Sequence, residues 1–234
     1  MIFVNVTVIY GTMKRANTYN CVQLLLNNLS ITMSIKVTEF FLSKDLPLLY
    51  DNFKSNTTNS ENLLRHLNST AYITDSLDKS DLIILACPTL NCDITANMKL
   101  FFKNLHNKSI KNKSSSFMKN KIGLVISTSA GAGLSHSTEI MKKNLNYWGI
   151  NNICKFSETF YETNWDYVTS KTKLKINKKI FKLSSKIIVL YLRTYTPKTS
   201  ISNRILSSKI ISIVKTSHSN VLNLSYDRNH SFHR

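Results

Sequence analysis

Three short segments hold the residues whose types and spacing can do chemistry. The first is Gly11-Thr12-Met13-Lys14-Arg15-Ala16-Asn17-Thr18-Tyr19. It sets a glycine turn, hydroxyls, an amide and two cations just before a helical pattern. Backbone N–H groups and the helix dipole favour a phosphate at such a point, and Thr12 and Thr18 can add hydroxyl hydrogen bonds. The same residues also fit an ordinary turn in which Asn17 or Thr18 caps the helix. The second segment is Pro88-Thr89-Leu90-Asn91-Cys92, and the third is Ser127-Thr128-Ser129-Ala130-Gly131-Ala132-Gly133. Both follow apolar runs. Their small residues let a flat ring approach the backbone, and loop N–H groups can bond its polar edge. Gly131-x-Gly133 is not a dinucleotide fingerprint, because the third glycine is absent and the loop follows the fourth strand, not the first.

Other chemistry is excluded. Cys87 and Cys92 flank the second loop, but no further ligands stand at metal spacing, and a buried core thiol with a loop thiol accounts for the pair. His66, His106 and His136 are scattered, and His230 and His233 sit in a polar tail. There is no G-x-S-x-G elbow, no Walker loop and no H-E-x-x-H. The acidic residues are too few and dispersed for a paired-carboxylate hydrolase.

The elements that must position these loops alternate along the chain. Phe3–Tyr10 reads as a strand, Tyr19–Leu29 as a helix with Val22, Leu25, Leu26 and Leu29 on one face, and Ser34–Phe41 as a second strand. Ser43 to Ser60 reads as a loop around Pro47, followed by short helical pieces near Glu61–Leu67 and Thr74–Lys79. Asp81–Cys87 and Ile122–Ser127 are continuous apolar runs, as in parallel strands buried on both faces. Thr95–Leu105 and the pattern through Met141, Leu145 and Trp148 read as helices, the latter capped by Gly149. Ile153–Ser157 is a last strand, and Lys171–Leu192 is a long basic helix. The stretch Lys108–Lys121 reads as a solvated loop. Five strands separated by helices argue for an α/β domain with a parallel sheet. In such a sheet ligands bind beyond the carboxyl ends of the strands, where strand order reverses.

The chain has 234 residues, 42% of them apolar, with 5 Gly and 3 Pro. That is enough for one domain with a sizeable core, and too apolar for a disordered chain. Lys plus Arg is 31 and Asp plus Glu is 13, a net charge of +18. The excess has two readings: the Asn, Lys, Ile and Ser usage of an AT-rich coding sequence, or a surface that attracts anions. The four cysteines form no small-domain disulfide pattern and suit a reducing, cytoplasmic setting. Met1–Tyr10 reads as a strand and not a signal peptide, and no apolar run approaches the ~20 residues of a membrane span.

In order and spacing, GTMKRANT, SDLIILACPTLNCDITANMKLFF and KIGLVISTSAGAG resemble the flavodoxin-like NAD(P)H-dependent FMN reductases and their iron–sulfur flavoprotein relatives. The family patterns are G-S-P-R-x-x-S-N-T, then A-D-x-I-I-F-x-x-P-V-Y with a later M-K-x-F-x-D, then a strand with a Thr/Gly-rich loop. The resemblance covers roughly residues 1–195. It implies a flavodoxin-like three-layer α/β sandwich, with a five-stranded parallel sheet in the order 2-1-3-4-5 and helices on both faces. Residues 196–234 would be a C-terminal extension, helical or partly disordered.

The resemblance also implies a site. Thr12 stands where the family has Ser, Lys14 where it has Arg, and Asn17 and Thr18 match its Asn-Thr. These would hold an FMN phosphate, and Tyr19 beside them would also be a cofactor-binding residue. Pro88 matches the proline after the third strand; Thr89, Leu90 and Asn91 would line the isoalloxazine edge. Ser127 to Gly133, with Ser127, Thr128, Ala130, Gly131 and Gly133 as the contacts, would close over the other side of the ring. Met98 and Lys99 match a structural Met-Lys. The departures are Leu90 for the family's aromatic, Met13 for proline, and Lys103 for the Asp that ends the helix motif. Leu46–Lys54 lacks the cysteines of the cluster-bearing relatives, so no iron–sulfur cluster is implied. The implied activity is transfer of hydride from NAD(P)H to FMN and on to an unknown acceptor, which needs no catalytic side chain. The family often forms dimers that cover the flavin. Two other readings stay open: a degenerate domain whose basic stretches Lys108–Lys121 and Lys171–Lys186 bind nucleic acid or another polyanion, and an FMN electron carrier without a nicotinamide site.

Overall fold

The structure, a computed structural model, describes residues 3–42, 71–108 and 116–195. Five strands form one parallel sheet in the order β2-β1-β3-β4-β5. They are β1 (Phe3–Tyr10), β2 (Ser34–Phe41), β3 (Leu82–Pro88), β4 (Ile122–Ser129) and β5 (Asn152–Thr159). The helices are α1 (Asn17–Ser30), α2 (71–79), α3 (Ala96–Lys108), the short α4 (Ser116–Lys119), α5 (Leu134–Tyr147) and α6 (Ser170–Tyr195). The fold class and strand order are those the family resemblance implies. The expected loop from Ser43 to Ser60, the helix near Glu61–Leu67 and the extension 196–234 lie outside the described residues.

Burial explains the strand sequences. β3 and β4 have neighbours on both edges and helices on both faces, so all but one of their residues are buried. β2 and β5 are edges, and they carry Lys36, Glu39, Lys155 and Glu158 where one side meets water. Two apolar clusters fill the two layers. One packs α1 and α6 on the sheet through Val22, Leu25, Ile176, Ile180 and Ile187. The other packs α2, α3 and α5 through Ile73, Met98, Phe101, Met141 and Leu145, with Trp148 edge-on to Phe101 and Phe102. Gly149 follows α5 as expected: its N–H reaches Asn146 O and that of Ile150 reaches Leu145 O, a Schellman closure.

One expectation fails. The basic stretch ending at Lys121 is not wholly a solvated loop: Ser116–Lys119 is a helical turn, and Met118 and Lys121 are buried. Lys121 Nζ donates to the carbonyls of Asp78 and Ser80 at 2.7 and 2.5 Å. A cation there satisfies carbonyls left open where α2 ends, which charge counting along the sequence does not reveal.

Candidate functional site

The carboxyl ends of β1, β3 and β4 meet at a cleft of about 250 Å³. Its walls are Thr12, Lys14, Ala16, Asn17 and Thr18 after β1, Pro88, Thr89 and Leu90 after β3, Thr128, Ser129 and Ala130 after β4, and Phe160, Glu162 and Thr163 after β5.

Gly11 allows the first loop to cross the end of β3. Its N–H donates to Ala86 O at 2.9 Å, and a Cβ would come within 2.7 Å of both Cys87 Sγ and Thr95 Oγ1. Thr95 holds the crossing by donating its hydroxyl to Gly11 O at 2.8 Å. Further along, the Lys14 N–H donates to Thr12 Oγ1 at 3.1 Å. Neither Asn17 nor Thr18 caps α1. Ala16 takes the cap position, and no side chain bonds the helix end. The two polar side chains are engaged elsewhere: Asn17 Nδ2 donates to Glu162 O at 2.7 Å, and Thr18 Oγ1 pairs with Thr128 Oγ1 at 2.6 Å. With no acidic residue in the first turn, the positive end of α1 faces the cleft without a capping side chain.

The loop after β3 folds back at once. Leu90 N donates to Asp93 O at 2.8 Å and Asp93 N to Leu90 O at 2.9 Å, so Asn91 and Cys92 form a two-residue turn with φ of 49° and 62°. Asp93 is held by Lys99 and by the Ile94 N–H, and the Lys99 bond keeps its carboxyl below the usual range. The loop after β4 packs directly on this turn. Gly133 has φ 93°, and a Cβ on it would lie 2.4 Å from Cys92 Cα.

The hydroxyls beneath the cleft have a direction. Ser127 Oγ donates to Cys87 O at 2.8 Å and lies 2.9 Å from Thr89 Oγ1. The single Ser127 proton is spent on the carbonyl, so Thr89 donates to Ser127 and keeps its own lone pairs free to accept. Burial pushes the Cys87 thiol up, which makes it a poor nucleophile; Cys92 is exposed.

Of the residues expected from sequence, Thr12, Lys14, Asn17, Thr18, Pro88, Thr89, Leu90, Thr128 and Ala130 line one cleft. Five do not. Ser127 is fully buried behind Thr89, Asn91 and Gly133 build the turns, and Gly131 N bonds Ser129 Oγ at 2.8 Å. Tyr19 turns to Tyr10 and Phe41, where the Arg15 guanidinium lies 5.3 Å from its ring centre. Ala16 and Ser129, which lie inside the loops named from sequence, also line the cleft, as do Phe160, Glu162 and Thr163. The last three follow β5 and were outside the sequence reading; the rule that ligands gather at strand carboxyl ends, applied to the fifth strand as to the other three, finds them. A larger groove of about 590 Å³ is lined by α6 residues, including Lys171, Lys175, Lys178, Lys179 and Lys182. Those described residues come from one helix face and offer cations but no convergent loops.

A family model for NADPH-dependent FMN reductase matches residues 4–158, from the second described residue of β1 almost to the end of β5. No curated protein matches the chain in sequence. Among solved structures, an FMN-dependent NADH-azoreductase from Bacillus anthracis, in complex with FMN, is 13% identical with a TM-score of 0.57, covering 78% of this chain and 99% of that one. An oxidoreductase from Corynebacterium diphtheriae is 14% identical with a TM-score of 0.56, covering 82% and 99%. The apo form of an NADH:FMN oxidoreductase is 13% identical with a TM-score of 0.54, covering 83% and 91%. At these identities the likeness is one of fold.

Proposed function

The chain belongs to the NADPH-dependent FMN reductase family, a family of FMN-dependent NAD(P)H oxidoreductases, and from that premise we propose that its FMN sits in the cleft above β1, β3 and β4. When bound, FMN accepts a hydride from the nicotinamide nucleotide and passes two electrons to an acceptor. The observation that carries the placement is the uncapped, acid-free start of α1 opening onto a cleft that also holds Thr12 and Lys14. That set suits a phosphate. The residues around it fit the rest of the group. Pro88, Leu90, Ala130 and Phe160 give the ring apolar walls, and the Thr89 lone pairs accept from an N–H or O–H of the ligand.

The chain's own part is to orient and to exclude water. Thr12 and Lys14 hold the phosphate, the turn at Leu90–Asp93 sets the height of one wall, and Thr128–Ala130 set the other. Gly133 and Ser127 position those walls from behind. Leu90 is more than half exposed, and it substitutes apolar contact for an aromatic stack. Met13 and Tyr161, each next to a lining residue in the chain, are also exposed. They give the rim an apolar character that a second copy would cover. Among the described residues no helix is long and apolar enough to cross a membrane.

The test is a visible spectrum of the purified protein and a titration with FMN, followed by anaerobic mixing with NADH and NADPH. We expect saturable FMN binding and bleaching of the flavin bands by a nicotinamide nucleotide. Folded protein that ignores FMN would remove the site, whereas FMN binding without bleaching would leave an electron carrier.

A further inference from the structure

α6 runs for 26 residues, from Ser170 to Tyr195, and contains no acidic residue. Its apolar face, with Ile176, Ile180 and Ile187, is buried in the layer it shares with α1. At 3.6 residues per turn, Lys171, Lys175, Lys178, Lys179, Lys182 and Lys186 fall within an arc of about 100° on the opposite face. All six are exposed. Lys179 pairs with Glu158 at 2.5 Å, and the other five form no ion pair among the described residues. Elsewhere in the fold lysines meet acids: Lys79 meets Asp75, Lys99 meets Asp93 and Lys155 meets Glu139. The row from Lys171 to Lys182, with Thr172 and Leu174, lines the groove of about 590 Å³. That groove shares no described lining residue with the flavin cleft.

An AT-rich coding sequence does not by itself place these lysines. Such a bias supplies Asn and Lys alike. Yet α1, in the same layer, carries Asn17, Asn20, Asn27 and Asn28 and no charged residue, whereas α6 carries the lysines and a single Asn, Asn177. Like charges three and four residues apart destabilise a helix, and an anion laid along the row removes that repulsion. An acidic protein partner is gripped by aromatic or Arg anchors at the centre of an interface, where Lys is depleted, and the arc has no such anchor. A lipid surface takes up apolar side chains, but the apolar face of α6 is spent on the core and the lysines line a concavity. A phosphodiester strand is a row of single charges that lysines neutralise one at a time. The lysines recur every three or four residues, over about 22 Å of helix from Lys171 to Lys186. We propose that this face of α6 binds the backbone of a nucleic acid without regard to base sequence, at a place separate from the flavin cleft.

The experiment is fluorescence anisotropy of a labelled DNA duplex of about 20 base pairs, titrated with the full chain between about 50 and 200 mM salt. The variants are Lys175→Gln with Lys178→Gln and Lys182→Gln, and a charge-matched control, Lys36→Gln with Lys103→Gln and Lys143→Gln, taken from exposed lysines outside α6. Melting curves check that each is folded. For the wild type we expect the logarithm of the binding constant to fall with the logarithm of salt at a slope of about −4 to −5, one step of about 0.9 for each unpaired lysine. The α6 variant should flatten it to about −2, while the control and a duplex of shuffled sequence keep the wild-type slope. No binding at the lowest salt, or a wild-type slope no steeper than about −2, would overturn the proposal. Equal losses in the two variants would overturn it in favour of net charge alone. Polyglutamate competing as strongly as unlabelled duplex would overturn it in favour of an acidic protein. Sedimentation with phosphatidylserine vesicles by a chain that ignores the duplex would overturn it in favour of a membrane. If the triple α6 variant does not fold, Lys175→Gln and Lys182→Gln are read singly: each should flatten the slope by about 1, and no change in either would overturn the proposal.

Discussion

The two ends of the sheet use their polar groups in opposite ways. At the amino end, the Asn5 N–H donates to Asp81 Oδ2 at 2.8 Å, while Asp81 N donates to Asn5 O and Asp81 O accepts from Ile122 N. Ser80 Oγ bonds Thr7 Oγ1, Thr7 bonds Ser76 O, and Lys121 closes the end of α2. Each of these atoms is consumed inside the fold. At the carboxyl end, the start of α1 has no side-chain cap, Asn17 Oδ1 has no partner, and Thr89 spends its proton on Ser127 and keeps its lone pairs. The same backbone and the same residue types are present at both ends. What differs is whether the chain completes their hydrogen bonds, and an end left incomplete is one that a ligand can complete.

The largest expected effect comes from breaking the closed end. Lys121→Met keeps the stem and removes the donor to two carbonyls, one buried and one part-buried. We expect a loss of about 2–4 kcal/mol in denaturant unfolding, with FMN affinity unchanged in the folded fraction. A variant as stable as wild type would show that solvent satisfies those carbonyls, and the contrast between the two ends would fail.

Gly133→Ala tests the open end's scaffold. Its φ of 93° and the 2.4 Å approach to Cys92 Cα admit no side chain unless one loop moves. Backbone strain of this kind costs about 1–3 kcal/mol. Unlike Lys121→Met, the change should also weaken FMN, because it parts the two walls of the cleft. Melting curves and FMN titration together check it, and destabilisation without loss of affinity would show that the wall spacing is unimportant.

The contrast also explains how far the sequence could be read. The strands and the three ligand-facing loops follow from hydrophobic runs and loop chemistry, which are local, whereas the strand order comes from the family resemblance. Asn17 is instructive. Its type and place suggested a cap or a phosphate contact; the cap position falls to Ala16, and the orientation of Asn17 is set by Glu162, 145 positions away, through a backbone carbonyl that carries no sequence signal. Lys121 is similar, since its burial depends on where α2 ends. Phe160 and Glu162 were legible in principle, because they follow a strand in the same sheet. Long-range backbone contacts are what the pattern of residue types does not encode.

Lys14→Ala sharpens the comparison within the open end. Lys14 lines the cleft, so its attraction to a phosphate is partly screened by solvent. We expect FMN to weaken by about three- to tenfold at low salt, with the difference from wild type shrinking as salt rises and riboflavin unaffected. Equal weakening of FMN and riboflavin would mean that Lys14 acts on the loop's shape and not on the phosphate.

The smallest effect concerns the ion pair that braces the β3 turn. Asp93 bonds Lys99 and the Ile94 N–H, and its carboxyl is held below its ordinary value, the Lys99 bond being the largest cause. A carboxyl depressed in the folded state contributes stability above its unfolded value of about 3.9, and that contribution is lost as pH falls through the lower folded value. Between pH 7 and 5 the brace is therefore unchanged, and it weakens only in more acidic solution. The pair is exposed and its contribution is small, so unfolding curves are a poor probe of it. Carbon-13 chemical shifts of the Asp93 carboxyl report it directly. In Lys99→Met the midpoint should rise toward the ordinary aspartate value, and the Leu90 amide, bonded to Asp93 O across the turn, should begin to shift at the same higher pH. Identical titrations in the two proteins would mean that backbone bonds alone hold the turn, and that the wall beside Leu90 needs no charge to stand.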